Sequence, residues 1–339
     1  MVKSYAEAGV DIDEKSRQIE ALVSALTFRR KGEGRALGKI GAFTGLVELG
    51  DRVLSLCTDS VGTKTLVAEA MDRWDTVGID CVAMNVNDMI TAGCEPIAFV
   101  DYVAISRYDR EIARQIGVGL NRGAEMANVT IVGGEIAVVP ELVRGYDLAG
   151  TCFGIAKKKD VVDGKRIRAG DAIIGIPSTG IHSNGLTLAR RVFADSGRSL
   201  HDALPGGAQS VGDALLEPTA IYVRPVLKAV RRHEVHGMAN ITGGGLRNLI
   251  RMKSAVEFRL TDPLEPAPVF PALQTLAGIP DEEMYQTFNM GMGYAIVAPE
   301  YETDGILKDL RPFRAAVVGT VKRGSGVTCP SKGLRYDRY

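Results

Sequence analysis

The chain has 339 residues, 45% of them apolar and 24% charged, which marks a globular chain with more than one ordinary core, so two domains are expected. Lysine plus arginine equals aspartate plus glutamate at 41 each, leaving no long-range field to draw the chain to nucleic acid or an anionic membrane. No apolar run approaches the ~18 residues of a membrane span, the opening MVKSYAEAGVDIDEKS lacks a signal peptide's apolar core, and five cysteines without a Cys-x-x-Cys pair argue for reduced thiols in a cytoplasm.

In the first half, strands and helices alternate. RVLSLCT (52–58) reads as a buried strand entering a polar loop. DTVGIDCVAMNVNDMITAG (75–93) reads as a helix, with Val77, Cys81, Val82, Val86, Met89 and Ile90 at helical spacing. PIAFVDYVAI (96–105) is a strand introduced by Pro96. DREIARQIGVGLNRGAEMAN (109–128) is a helix with Asp109 at its N-cap. VTIVGG (129–134) and YDLAGTCFGIAK (146–157) are strands again, and the basic stretch 157–171 is the linker.

The second half restarts with strand 171–177, a Ser/Gly loop and helix 184–197. It continues with helix 218–232, loop ITGGGL (241–246), strand 255–260 and helix 269–278. Strand 293–299, helix 301–310 and strand 315–321 follow. Two blocks of mixed strands and helices predict two α+β or α/β domains. Strands 96–105 and 146–157 are expected to leave open sheet edges that a second subunit would cover.

Several polar groups interrupt this pattern. DSVGTK (59–64) sets an acid, a hydroxyl and a lysine beside Gly62, but its spacing is not that of a P-loop. Asp59 suits a hard cation, and Thr63 and Lys64 suit phosphate; a solvated turn with Asp59 as an Asx acceptor is the alternative. Asn87 and Asp88 sit within an apolar helix pattern, where an unpaired carboxylate is costly and needs a surface, a partner or a metal. Asp101 is an acid inside a strand, on its polar face or at a site. Gly133-Gly134-Glu135 reads as a turn with a surface acid, or as a close approach with Glu135 as a metal or base candidate.

STGIHSNG (178–185) gathers Ser178, Thr179, His182, Ser183 and Asn184 in one loop before a helix, where backbone N–H groups attract anions and His182 can do acid–base work. Thr242, Gly243, Gly244 and Gly245 suit either a phosphate or a tight turn. HEVH (233–236) has the wrong spacing for a metalloprotease helix and reads as the end of a solvated helix.

SYAEAGVDID (4–13), DSVGTK (59–64), GIDCVAMNVNDMITAGCEPIAFVDY (78–102), GGE (133–135), GYDLAG (145–150), GIHSNG (180–185), EPTAIYV (217–223), ITGGGL (241–246) and TFNMGMGYAI (287–296) occur in order. Together they resemble the aminoimidazole ribonucleotide (AIR) synthetase family of phosphoribosylformylglycinamidine cyclo-ligases, over nearly the whole chain. The resemblance implies a two-domain α+β fold. Residues 1–160 would form an ATP-binding domain that pairs through its sheet with a second subunit as a homodimer, and 170–339 an α/β sandwich domain.

The implied reaction is ATP-dependent closure of formylglycinamidine ribonucleotide to aminoimidazole ribonucleotide, with Mg²⁺ required and K⁺ typical. Asp59, Asn87, Asp88 and Glu135 would hold Mg²⁺ and ATP, with Asp59, Asp88 and Glu135 on the metal. Thr63 and Lys64 would meet phosphates. His182 and Asp59 would be catalytic, and Ser183, Asn184 and Thr242 to Gly245 would hold substrate. Ser60 replaces the family's usual glycine, GGEIAVVPE replaces GGETAEMPG, and Ile181 replaces proline in GPHSNG. The runner-up readings are an ATP-dependent relative acting on another amide or phosphate, and a non-catalytic nucleotide sensor.

Overall fold

The computed structural model describes residues 2–38 and 40–339. Its first sheet has six strands: β1 (Ala36–Leu37), β2 (Gly45–Leu49), β3 (Arg52–Ser60), β4 (Glu95–Ile105), β5 (Thr130–Val138) and β6 (Tyr146–Lys157). Their order is β1-β2-β3-β6-β4-β5, antiparallel except for the β4–β5 pair. The parallel pair requires a crossover, which helix α4 below supplies.

Four helices accompany this sheet: α1 (Ile12–Ala25), α2 (Lys64–Ala70), α3 (Val77–Met89) and α4 (Arg110–Ala127). Asp109 caps α4, its Oδ1 accepting from the N–H groups of Glu111 and Ile112 at 3.0 and 3.1 Å. Helices α3 and α4 touch backbone to backbone, because a Cβ on Gly78 would come within 2.2 Å of Leu120 N and one on Gly119 within 2.6 Å of Asp75 O. That contact lets α3 lie buried along nearly its whole length. It covers the sheet face that carries Cys57, Phe99 and Cys152 in one row. Residues one step along point the other way. On that opposite face Leu56, Val100 and Tyr102 are 48%, 39% and 43% exposed.

The second sheet has seven strands: β7 (Ala172–Pro177), β8 (Gly237–Asn240), β9 (Glu257–Leu260), β10 (Met292–Ala298), β11 (Ala316–Lys322), β12 (Gly326–Cys329) and β13 (Leu334–Tyr336). They run in the order β13-β12-β9-β11-β7-β10-β8. Helices α5 (Leu186–Asp195), α6 (Val211–Leu216), α7 (Val223–Arg232), α8 (Val269–Ala277), α9 (Asp281–Thr287) and α10 (Thr303–Asp309) complete the block. No helix among the described residues is long and apolar enough to cross a membrane.

A buried ion pair joins the two blocks. Lys64 Nζ donates to Asp80 Oδ1 at 2.9 Å and to Glu217 O at 2.6 Å, and both charged side chains are fully buried. Asp80 Oδ1 also accepts from Thr219 N and Thr219 Oγ1 at 2.8 and 2.5 Å. Nearby, Asn87 Nδ2 donates to Ala220 O at 2.7 Å and Asn87 Oδ1 accepts from Tyr222 N at 3.0 Å.

Several sequence expectations change. Strands 96–105 and 146–157 are interior, since β6 lies between β3 and β4, and β5 forms the open edge instead. GGE (133–135) lies inside β5 rather than in a turn. The helix expected over 218–232 begins only at Val223, because Glu217 to Tyr222 are drawn into hydrogen bonds with α3 and Lys64. His236 does not sit on a solvated helix end. It is buried, with its Nδ1 2.7 Å from Asp171 Oδ2 and its Nε2 3.0 Å from Glu234 Oε1.

Breaking a buried pair strands the remaining charge. Asp80→Asn is expected to lower unfolding free energy by about 3–5 kcal/mol. A denaturant titration reads this directly, and an unchanged midpoint would show that the pair contributes nothing.

Candidate active site

Antiparallel register places Asp59 of β3 opposite Gly150 of β6, and Gly150 opposite Asp101 of β4. The two acids therefore project from one face, towards α3, with a glycine between them. Asp59 Oδ1 accepts from Ser60 N at 2.8 Å. Asp88 comes from the last turn of α3, and its Oδ1 accepts from Asn240 Nδ2 of β8 at 2.8 Å.

Burial pushes both carboxyls up. Asp88 reaches about 7, its burial partly offset by the Asn240 hydrogen bond and Arg251, with the Asp59 charge adding to the rise. Asp59 is raised by burial against the pull of Ser60 N–H, Lys15 and Arg251. Asp59 and Asp88 are thus two desolvated carboxylates, and the Asp59 charge reaches Asp88. Arg251 stacks its guanidinium 3.7 Å over Phe43 and 5.1 Å from the Tyr339 ring.

The second block supplies a loop and a glycine run. His182 is buried in a left-handed backbone conformation, φ 59°, and its Nε2 accepts from Thr179 N at 3.2 Å. Burial, with a lesser push from the Lys64 charge, drives the imidazole down to about 3, so it is neutral near pH 7. Ser183 Oγ is buried and has no hydrogen-bond partner among the described residues. A side chain at Gly243 would come within 3.1 Å of Asn184 Oδ1. Gly244 and Gly245 take φ of 102° and 50°, and Gly245 N donates to Thr242 O at 2.9 Å. These left-handed positions suit glycine, since a Cβ there would be strained. Thr63 precedes α2, its hydroxyl 3.1 Å from Thr187 Oγ1.

Three expected residues do other work in this geometry. Lys64 is not presented to a phosphate, because its ammonium is buried on Asp80 and Glu217 O. Asn87 is not presented to a nucleotide, because both ends of its amide are bonded to the second block's backbone. Glu135 is not brought to Asp59 and Asp88. It is exposed on edge strand β5, opposite Tyr102 and one residue from Gly134, the register partner of Asp101. It therefore faces away from the acids. Among the described residues no group of three or more His, Cys, Asp and Glu side chains could hold a metal ion.

Sequence reading missed Lys15, Asn240 and Arg251. None belongs to a chemical motif. The one local signal is the placement of Arg251 shortly after the glycine run.

Two sheet-and-helix blocks that meet across a buried seam, with acids on one side and a Ser/Asn/Gly lining on the other, define an AIR synthase related protein. Residues 42–156 match the family model "AIR synthase related protein, N-terminal domain", and 168–330 match "AIR synthase related protein, C-terminal domain". The chain is 49% identical over 302 residues to the phosphoribosylformylglycinamidine cyclo-ligase of Methanosarcina mazei, covering 89% of this chain and 90% of that one. It is 47% identical to the enzyme of the same name from Methanocaldococcus jannaschii, covering 94% and 92%. The chain belongs to the phosphoribosylformylglycinamidine cyclo-ligase family.

Solved structures share the fold at lower identity. AaThiL complexed with AMPPCP and TMP superposes with a TM-score of 0.68 at 18% identity, covering 96% of each chain. The hydrogenase maturation protein HypE in complex with ATP gives a TM-score of 0.61 at 20% identity, over 91% of this chain and 85% of that one.

The Asp88 shift carries a stability consequence. Its folded value, about 7, lies above the ordinary aspartate value of about 3.9. The contribution of Asp88 is therefore fully present below about 4 and is lost as pH rises through about 7. In metal-free buffer, Asp88→Asn keeps an acceptor for Asn240 and removes the desolvated charge. Its melting temperature should exceed the parent's at pH 8, and the gap should close towards pH 4. A gap independent of pH would refute the burial of this carboxylate.

Proposed function

We propose that this chain closes the imidazole ring of aminoimidazole ribonucleotide, taking formylglycinamidine ribonucleotide and ATP and releasing ADP and phosphate. The reading draws on the chain's family and on one observation above the rest. A pair of desolvated carboxylates, Asp59 and Asp88, lies at the seam, with Asn240 reaching Asp88 from the second block. The unpartnered Ser183 hydroxyl and the Thr242–Gly245 run belong to that same block.

Mg²⁺ prefers oxygen ligands and commonly binds through one or two carboxylates plus substrate phosphates. Asp59 and Asp88 fit that donor set, and the ion would neutralise charge on the triphosphate. Thr63, beside α2, would donate to a phosphate oxygen. Ser183 and Asn184 would orient the substrate, and Gly243 to Gly245 would let its phosphate approach the backbone. Neutral His182 has its Nε2 engaged by Thr179 N–H. Its part is to hold the HSNG loop against the reacting groups, rather than to supply a charge.

The formyl oxygen attacks the γ-phosphorus, a new O–P bond forms, and the β–γ anhydride breaks to release ADP. The amidine nitrogen then adds to the activated carbon. The C–O bond breaks, phosphate departs with the oxygen, and the nitrogen's surplus proton is lost. Catalysis here is positioning and electrostatics, so both blocks must be in register.

Residues 1–160 would be the nucleotide-handling unit and 170–339 the substrate unit, acting in the cytoplasm. The family resemblance also implies K⁺, and replacing K⁺ by Na⁺ in the assay tests that.

ATP consumption should depend on formylglycinamidine ribonucleotide. Substrate labelled with ¹⁸O in its formyl group should give one labelled phosphate per turnover by mass spectrometry. Label in water instead would refute direct phosphorylation, and ATP hydrolysis indifferent to the substrate would favour the nucleotide-sensor reading.

A second copy of the chain would cover the apolar sheet face. Leu56, Val100 and Tyr102 lie on that face, and edge strand β5 exposes Val132 and Ile136 at 64% and 57%. Light scattering at micromolar concentration should report a homodimer, and Val100→Asp should shift it to monomer. A wild-type chain that is monomeric and fully active would contradict this assembly.

A further inference from the structure

A cavity of about 790 Å³ lies where the first block, the linker and the second block meet. It is not the site described above. Its base residue Arg52 opens β3, seven residues before Asp59, which puts the two ends about 23 Å apart at the rise of a strand. The volume is within the range of small-molecule sites.

The lining has a marked charge pattern. Arg52 and Lys157 are register partners across β3 and β6, so two like charges face each other on the cavity wall. Directly opposed like charges destabilise a sheet. Neither is in an ion pair among the described residues, and neither is Lys159 from the linker; the adjoining Asp160 is the one acid of the lining that is also outside an ion pair. Two further bases complete the rim, and both are already paired: Arg231 with Glu95 at 2.7 Å and Arg166 with Glu234 at 3.3 Å. The lining also includes the apolar side chains Ile155, Val162, Leu227 and Val230.

We propose that this cavity is a second, non-catalytic binding site for a nucleoside monophosphate. The phosphate would sit between Arg52, Lys157 and Lys159, relieving their repulsion. The nucleoside would lie on the apolar residues. Such a ligand touches both blocks and the linker at once.

AMP is titrated calorimetrically into the full-length protein with Mg²⁺ and a non-hydrolysable ATP analogue saturating the acid site. One AMP per chain is expected. The variant Arg52→Gln/Lys157→Gln should weaken that binding at least tenfold. Both residues lie outside the catalytic machinery, so its basal turnover should be unchanged. Removing opposed like charges should leave its melting temperature at or above the parent's, which separates lost binding from lost folding. The proposal is overturned if no AMP binds with the acid site filled, or if the double variant binds as tightly as the parent. Orthophosphate binding as tightly as AMP would overturn the nucleotide assignment, because the apolar side chains would then contribute nothing.

Discussion

The mutual placement of the two blocks depends on the Lys64–Asp80 pair. Taking both charges out of water is costly, and attraction repays the cost only where geometry is good and the remaining hydrogen-bonding capacity is filled. Here Lys64 also reaches Glu217 O, and Asp80 Oδ1 also takes the backbone and hydroxyl donors of Thr219. Lys64 and Asp80 belong to the first block, while Glu217 and Thr219 belong to the second. The pair is satisfied only when that second-block segment is docked. Its use is as a registry device more than a source of net stability.

Everything at the site inherits that registry. Asn87, two turns further along α3, clamps Ala220 and Tyr222 in the same segment. Asp88 is met by Asn240. His182 sits between the Lys64 charge, which helps keep the imidazole neutral, and the ring of Tyr222, 6.4 Å away. Three polar residues of one apolar helix thus bind the second block, and a fourth, Asn85, holds Asp59 O at 3.3 Å. Helix α3 can carry them because Gly78 and Gly119 let it sink below α4, where a polar side chain has protein rather than water as its partner.

Local pattern revealed much of this. Strand β6 and helix α4 were legible because alternation and a cap residue act within a few residues. That Asp88 is buried was legible because a carboxylate in an apolar run demands a reason. The roles of Lys64 and Asn87 were not, because nothing local distinguishes a lysine offered to phosphate from one buried on an acid 16 residues away. The partner that decides between them, Glu217 O, lies 153 residues along the chain. The edge strand was misplaced for a similar reason. Strand order is a long-range property, and β6 returns between β3 and β4, leaving β5 outside. Short α6 and the late start of α7 also depend on contacts with the first block, and a helical period cannot register those.

The same logic explains why the site is led by acids rather than by a glycine loop. A phosphate-wrapping loop needs a run of free backbone N–H groups at a helix start. Here Gly62 and Thr63 do precede helix α2, but the first residue of that helix is Lys64, and its side chain is spent on the seam. The helix start is therefore anchored to hold the two blocks together. In the proposed reaction the carboxylates of Asp59 at the end of β3 and Asp88 at the end of α3 would repel a bare triphosphate and attract one that brings its own cation. In the proposed reaction, with Lys64 anchoring the blocks, the metal would become part of substrate recognition.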